Sequence, residues 1–329
     1  MCRLGFGAAR FDQRAECRSE GGGEDAVSAV AIRAEGIVKD YGDTRGLAGL
    51  DLEVETGEVF GFLGPNGAGK TTTIRILVDL IRPTRGAVSV LGLDPRTNGV
   101  VLRRRLGYLP DDFVVGGRQT GEELLTYLGS LRGGVPRARI DELAQRLNLD
   151  TSRRIGTLSR GNRQKIGLIQ AFMHDPELLV LDEPTSGLDP FLQQEYAALV
   201  RQATEEGRTV FVSSHVLSEV QQTAHRVGII REGLLVAVER VEELRERSLR
   251  RVEILFDRPV PLEGFASVSG VSGLHIDGPL LRCRLGGRAD ALVKAAARHT
   301  VVTLSIEEAD LDELFFHYYA YRDGDGHAR

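Results

Sequence analysis

The sequence predicts an α/β protein built on a largely parallel sheet and followed by a small α+β unit. Three observations carry that expectation. Between about Ser28 and Arg245, the short apolar runs Val59–Leu63, Leu178–Leu181 and Thr209–Val212 alternate with longer segments patterned as helices. Beyond about residue 245 the pattern changes to closely spaced short strands with two helices. The length, 329 residues, accommodates two folding units at roughly 150 residues each.

From Met1 to about Val27 the chain mixes Arg, Glu, Gly and Ser without helical or alternating period, and it includes Gly21-Gly22-Gly23-Glu24-Asp25. Residues 1–28 therefore read as a disordered leader or a misassigned start. The main unit is expected over 29–245, with strands at the three apolar runs and at Leu106–Pro110, and helices at the amphipathic Thr120–Leu131 and at Asn162–Met173. The charge-dense stretch Val241–Arg250 reads as a polar helical linker. Residues 246–329 form the accessory unit, with strands at Val252–Phe256, Leu274–Ile276, Leu280–Leu285 and Val301–Ile306 and helices at Ala289–His299 and Leu311–Tyr319. Its aromatic ending, Phe315-Phe316-His317-Tyr318-Tyr319, reads as a docking face. There is no internal repeat and no heptad run long enough for a coiled coil.

Composition narrows the function. Lys and Arg number 42 against 47 Asp and Glu, a net charge of −5. That near-balance opposes a dedicated nucleic-acid or anionic-membrane binder, which would be strongly basic. No apolar run approaches the ~18 residues of a membrane span. Cys2, Cys17 and Cys283 have no metal-ligand spacing and are too few for a disulfide framework, which points to a reducing cytoplasm. No apolar signal region follows Met1, so nothing suggests export of the chain itself. Only four of the 42 basic residues are Lys: Lys39, Lys70, Lys165 and Lys294.

One of those four follows the strand Val59–Leu63, in Gly64-Pro65-Asn66-Gly67-Ala68-Gly69-Lys70-Thr71-Thr72. The first eight residues match the phosphate-binding loop GxxxxGK[ST] in its strand-to-helix setting. Glycine lets the backbone fold around a phosphate with successive N–H groups pointing inward, and the helix that follows aims its positive end at the same anion. Lys70 supplies a point charge for the β and γ phosphates, and the Thr71 hydroxyl can coordinate Mg²⁺.

A second run, Leu178-Leu179-Val180-Leu181-Asp182-Glu183, carries two acids to the carboxyl end of a central parallel strand, where ligands bind in such folds. Asp182 there can hold Mg²⁺ through its water shell, and Glu183 can orient or deprotonate an attacking water. His215 closes the strand Val210–Ser214 toward the same sheet edge, which places a neutral or charged imidazole near the γ-phosphate. His174, His225, His275, His299, His317 and His327 show no ligand spacing and receive no role.

With these residues in place, the segment from about Ile32 to Val238 resembles the ATPase subunit of ATP-binding cassette (ABC) transporters. Leu158-Ser159-Arg160-Gly161-Asn162-Arg163-Gln164-Lys165 is similar to the family signature LSGGQ, and Asp182 to Asp189 is similar to Walker B followed by the D-loop. The signature has its own physical logic: Ser159 precedes a helix, so its hydroxyl, the Gly161 amide and the helix end form a second anion-binding element. The resemblance implies a phosphate-loop NTPase of the ABC type, with a helical subdomain at about 111–170 and the small α+β domain behind it. It also implies that Ser159, Gly161 and Asn162 serve the ATP held by a second copy of the chain, packed head to tail. Tyr41 falls where the family stacks an aromatic on adenine, and no Asn-Lys-x-Asp segment for reading guanine is present.

Two departures stand out. Asp111 occupies the position of the family's Gln beside Mg²⁺, shorter and ionised, and the signature carries Arg160 for Gly and Asn162 for Gln. The expected function is ATP hydrolysis with Mg²⁺, powering an integral membrane permease that exports a drug, antibiotic or other hydrophobic compound. The chain would sit in the cytoplasm on the inner face of the membrane, without nucleic acid. The alternative is a soluble ABC ATPase acting on nucleic acid or the ribosome, a class that normally carries long coiled coils or two cassettes. A phosphate-loop kinase would lack the LSRGN segment.

Overall fold

The computed structural model describes residues 30–115, 117–247 and 249–307. The leader, Cys2, Cys17 and the aromatic C-terminal helix expected at Leu311–Tyr319 lie outside the described residues. The chain opens with β1 (Val30–Tyr41), β2 (Thr44–Glu55) and β3 (Val59–Leu63), then α1 (Lys70–Leu77), β4 (Arg85–Val90), α2 (Pro95–Arg105) and β5 (Leu106–Leu109). Helices α3 (Gly121–Leu131), α4 (Arg137–Arg146) and α5 (Arg160–Phe172) follow, then β6 (Leu178–Asp182), α6 (Pro190–Glu205), β7 (Thr209–Ser214) and α7 (Leu217–Val220). The first unit closes with β8 (Arg226–Arg231), β9 (Leu234–Arg240) and α8 (Val241–Arg247). The last elements are β10 (Arg250–Phe256), α9 (Glu263–Ala266), β11 (Val271–Asp277), β12 (Leu280–Leu285), α10 (Asp290–Ala296) and β13 (Val301–Glu307).

The central sheet has the order β5-β6-β7-β3-β8-β9, with every neighbour parallel except the returning β9. Its inner strands β3, β6 and β7 are buried along their length and largely apolar because both faces are covered, and successive side chains alternate between the two covers. Leu178, Val180, Phe60, Phe62 and Phe211 pack toward α1 and the antiparallel sheet β2-β1-β4. The Phe60 and Phe211 rings stack at 5.9 Å. Leu179, Leu181, Val59, Val210 and Val212 pack instead with the helices α3 to α6.

The antiparallel sheet was not among the expected elements, although Leu50, Leu52 and Val54 alternate with Asp51, Glu53 and Glu55 at strand period. Thr120 and Glu123 form a capping box that starts α3, each side chain accepting the other's backbone amide. Helix α5 begins at Arg160, two residues before the expected start, because Ser159 caps it. The linker reading of Val241–Arg250 is corrected: Val241 and Leu244 are buried in the main core, and the helix gives way to β10 at Arg250. The helical period i, i+3 places both on one face, which hides them among six charged neighbours in the sequence.

The last elements form a separate antiparallel sheet, β11-β12-β10-β13, whose core of Val252, Ile254, Phe256, Leu281 and Leu285 is closed by Phe265 and Leu292. Among the described residues no helix is long and apolar enough to cross a membrane. For the site, the decisive feature is that β6, β7 and β3 are consecutive neighbours and parallel, so their carboxyl ends open on one edge.

Candidate active site

The loop from Gly64 to Gly69 leaves β3 and runs into α1 at Lys70. Gly67 and Gly69 adopt φ of +83° and +111°, conformations an L side chain rarely takes, and a Cβ on Gly69 would stand 2.8 Å from the Gly46 carbonyl. The Lys70 ammonium is buried and folds back over the loop, donating to the carbonyls of Gly64 at 2.6 Å and Pro65 at 3.3 Å. It also lies 3.4 Å from Glu183 Oε1.

Asp182 ends β6 with its side chain fully buried. The Ser213 hydroxyl donates to Oδ1, while Oδ2 has no hydrogen-bond partner among the described residues. Burial pushes this carboxyl above the ordinary range; the hydroxyls of Ser213 and Thr71 oppose the rise, and the charges of Asp111 and Glu183 add to it. A buried acceptor left open beside a threonine hydroxyl and two further carboxylates fits a hydrated divalent cation.

Glu183 takes φ +48°, a left-handed conformation that costs a non-glycine residue about 1–3 kcal/mol unless its surroundings hold it. Its amide donates to Ser213 O at 3.2 Å and Ser213 Oγ at 3.1 Å, which turns the side chain out of the strand line. Its carboxylate meets His215 Nδ1 at 2.8 Å. An ionised carboxylate only accepts, so Nδ1 carries the proton in this contact.

Lys70, Glu183 and His215 open on a cleft of about 310 Å³ lined also by Gly46, Pro65, Asn66, Gly67, Gly69, Thr71, Thr72, Asp111 and Ser186, whereas the fully buried Asp182 is not among the lining residues. Gly64 and Ala68 belong to the loop but do not line the cleft. Gly64 backs onto the Ile230 carbonyl, 2.5 Å from where its Cβ would stand, and Ala68 is buried. Tyr41, 47% exposed, lies beside the cleft, its ring against Gly46 and under the Lys39 ammonium at 5.1 Å.

Ser159, Gly161 and Asn162 are not brought into this cleft. They form the first turn of α5, where Ser159 Oγ accepts the Asn162 amide at 3.3 Å and a Cβ on Gly161 would stand 2.9 Å from the Gly187 carbonyl. Arg160 reaches Ser186 Oγ at 3.3 Å, so the signature turn and the acidic loop touch within one chain. Sequence reasoning passed over Ser213 and Ser186. The only signal for Ser213 was a hydroxyl at the end of an otherwise apolar run, Val210-Phe211-Val212.

Known proteins resemble this chain in sequence and fold. The ABC transporter family profile matches residues 47–186. Daunorubicin resistance ATP-binding protein DrrA3 of Streptomyces coeruleorubidus is 36% identical over 304 residues, covering 88% of this chain and 95% of its own length. Bacitracin transport ATP-binding protein BcrA of Enterococcus faecalis is 36% identical over 230 residues, 69% of this chain and 75% of its own. Among solved structures, an ATP-binding subunit of an ABC transporter superposes with a TM-score of 0.61 at 26% identity, covering 65% of this chain and 92% of that one. A dimeric ATP-binding cassette holding ADP and Pi shares the fold, with a TM-score of 0.57 at 23% identity over 64% of this chain and 98% of its own.

Proposed function

Because this chain belongs to the ATP-binding proteins of ABC transporters, a family of ATPases that work as cassette dimers, we propose that it powers a permease exporting an antibiotic or similar hydrophobic drug. The observation that carries the reading is the single cleft that joins the phosphate loop, Glu183 and His215. Drug export is supported by the relatives' own activities, bacitracin transport and daunorubicin resistance. The second of these covers 88% of this chain, more than the first unit alone, which supports treating 29–245 as the ATP-binding unit and 246–329 as an accessory unit of the same machine. In this reading the chain sits on the cytoplasmic face of the membrane through its permease.

The loop residues from Gly64 to Thr72 hold the phosphates, with Lys70 turning from the loop carbonyls to the β and γ oxygens once ATP enters. Thr71, Asp182 through a water, and Asp111 would hold Mg²⁺, which when bound neutralises phosphate charge. Glu183 accepts the proton of the attacking water as its oxygen bonds to the γ-phosphorus and the bond to the bridging oxygen of ADP breaks. His215, held through Nδ1 by Glu183, turns Nε2 toward the γ-phosphoryl oxygens, to which it donates only as the imidazolium, with both ring nitrogens protonated. Tyr41 stacks on adenine. Ser159, Gly161 and Asn162 complete the site of the second copy, a role supported by their position outside the cleft of their own chain. A soluble ATPase acting on nucleic acid or the ribosome is not favoured, since the relatives matched over most of this chain are transport and resistance proteins.

Two experiments test the reading. Purification of the tagged chain from membranes should recover one integral membrane protein with it, and recovery of ribosomes instead would overturn the permease assignment. Glu183→Gln should keep ATP bound, hold the dimer closed and lower turnover by about 100-fold or more, the range expected on losing a general base; normal turnover in that variant would remove Glu183 from the chemistry.

A further inference from the structure

Glu183 and His215 stand on different loops, one after β6 and one after β7, so the 2.8 Å contact between them depends on how those loops are braced. One carboxylate reaches both. Glu219, in α7, accepts the Thr185 hydroxyl at 2.5 Å and the Ser214 hydroxyl at 3.3 Å through the same oxygen, Oε2. Thr185 lies two residues beyond Glu183, and Ser214 immediately precedes His215.

The brace extends further on the histidine side. Ser214 Oγ accepts the Val216 amide at 3.0 Å, spanning His215, and Ser214 O accepts the amide of Gly64, the first residue of the phosphate loop, at 3.4 Å. On the acidic side, the Ser186 amide donates to Glu183 O at 3.1 Å and the Leu188 amide to Thr185 O at 3.0 Å, so Thr185 sits in a closed turn that carries Glu183. The left-handed backbone at Glu183 persists only where neighbours over-determine it. Ser213 holds it from β7, and Thr185 is the hold on its other side.

Glu219 makes no ion pair among the described residues. Its carboxylate accepts a short bond from Thr185 and a longer, weaker one from Ser214. We propose that Glu219 is a positioning residue for hydrolysis: it ties the loops after β6 and β7 at the spacing that keeps His215 on Glu183. The inference rests on the ATPase reading and on the roles given to those two side chains, and it adds the residue that sets their geometry.

The test uses the full chain, in complex with its permease, and compares Glu219→Ala, Glu219→Gln and Thr185→Val. Supporting partners of a reacting group typically contribute about 10–100-fold, so Glu219→Ala should lower kcat by that factor while the KM for ATP and the dissociation constant of a fluorescent ATP analogue stay within about threefold. The Gln amide oxygen still accepts both hydroxyls, so Glu219→Gln should return kcat to within about threefold of the parent. Thr185→Val should fall between the two, and adding it to Glu219→Ala should cost little more, because one interaction cannot be lost twice.

A wild-type kcat in Glu219→Ala would overturn the proposal. So would a Gln variant as slow as the Ala variant, or a loss of kcat matched by an equal loss of nucleotide affinity and melting temperature. Failure of the ATPase reading looks different: the unaltered protein would hydrolyse no ATP, or Glu183→Gln would turn over normally.

Discussion

Asp111 stands where the resemblance read from the sequence implies a Gln. It lines the cleft with Thr71 and Glu183, and its charge adds to the rise in the Asp182 pKa. A second carboxylate at the proposed Mg²⁺ position adds charge to the donor set, and affinity for a hard cation follows that charge count. Replacing Asp111 by Gln should therefore raise the Mg²⁺ concentration for half-maximal ATPase by about threefold to tenfold, while Asp182 ionises more readily. A titration of ATPase rate against free Mg²⁺ checks this, and an unchanged midpoint would take Asp111 out of the metal site. Residues of this kind were legible in sequence because their chemistry depends on local spacing: a phosphate loop is one continuous turn, and Asp182-Glu183 are adjacent. Ser213, Thr185, Ser214 and Glu219 were not legible in the same way. Ser213 meets Asp182 because the two are register partners across β6 and β7, 31 positions apart, and nothing local in either strand names its neighbour.

The elements divide along the same line. Strands β3, β6 and β7 announce themselves as apolar runs because parallel strands are covered on both faces, whereas the half-exposed β1 and β2 alternate and left a weaker trace. Helix α8 was misread because its two buried side chains are outnumbered by charge. Within β3, Gly61 has a reason that only packing reveals. A Cβ there would stand 2.1 Å from Val220 Cγ1 and 3.1 Å from Val227 Cγ1, so α7 and β8 close on the strand that carries the phosphate loop. Gly61→Ala should overpack this contact and cost about 1–3 kcal/mol of stability. It should also push α7, and with it Glu219, away from the sheet. Urea unfolding measures the first effect and steady-state kinetics the second; a variant with the parent's midpoint would show that α7 yields freely.

At the scale of the whole molecule, one chain holds a cleft that its own signature turn does not enter. Ser159, Gly161 and Asn162 do not line the cleft, and the proposed head-to-tail pairing has each complete site draw a loop from one copy and a signature from the other. That arrangement predicts complementation between two inactive chains. Lys70→Ala disables the loop, and Gly161→Asp places a carboxylate in the signature turn, 2.9 Å from the Gly187 carbonyl at its Cβ. Homodimers of either variant have both sites damaged. A mixed dimer has one site carrying both defects and one site carrying neither. Random pairing at equal amounts makes half of the dimers mixed, so ATPase should recover to about a quarter of the parent's rate if the two sites fire independently. Measured against the separate variants at the same total concentration, a mixture no faster than the mean of the two would show that loop and signature act within one chain, and the head-to-tail assignment of Ser159, Gly161 and Asn162 would fall with it.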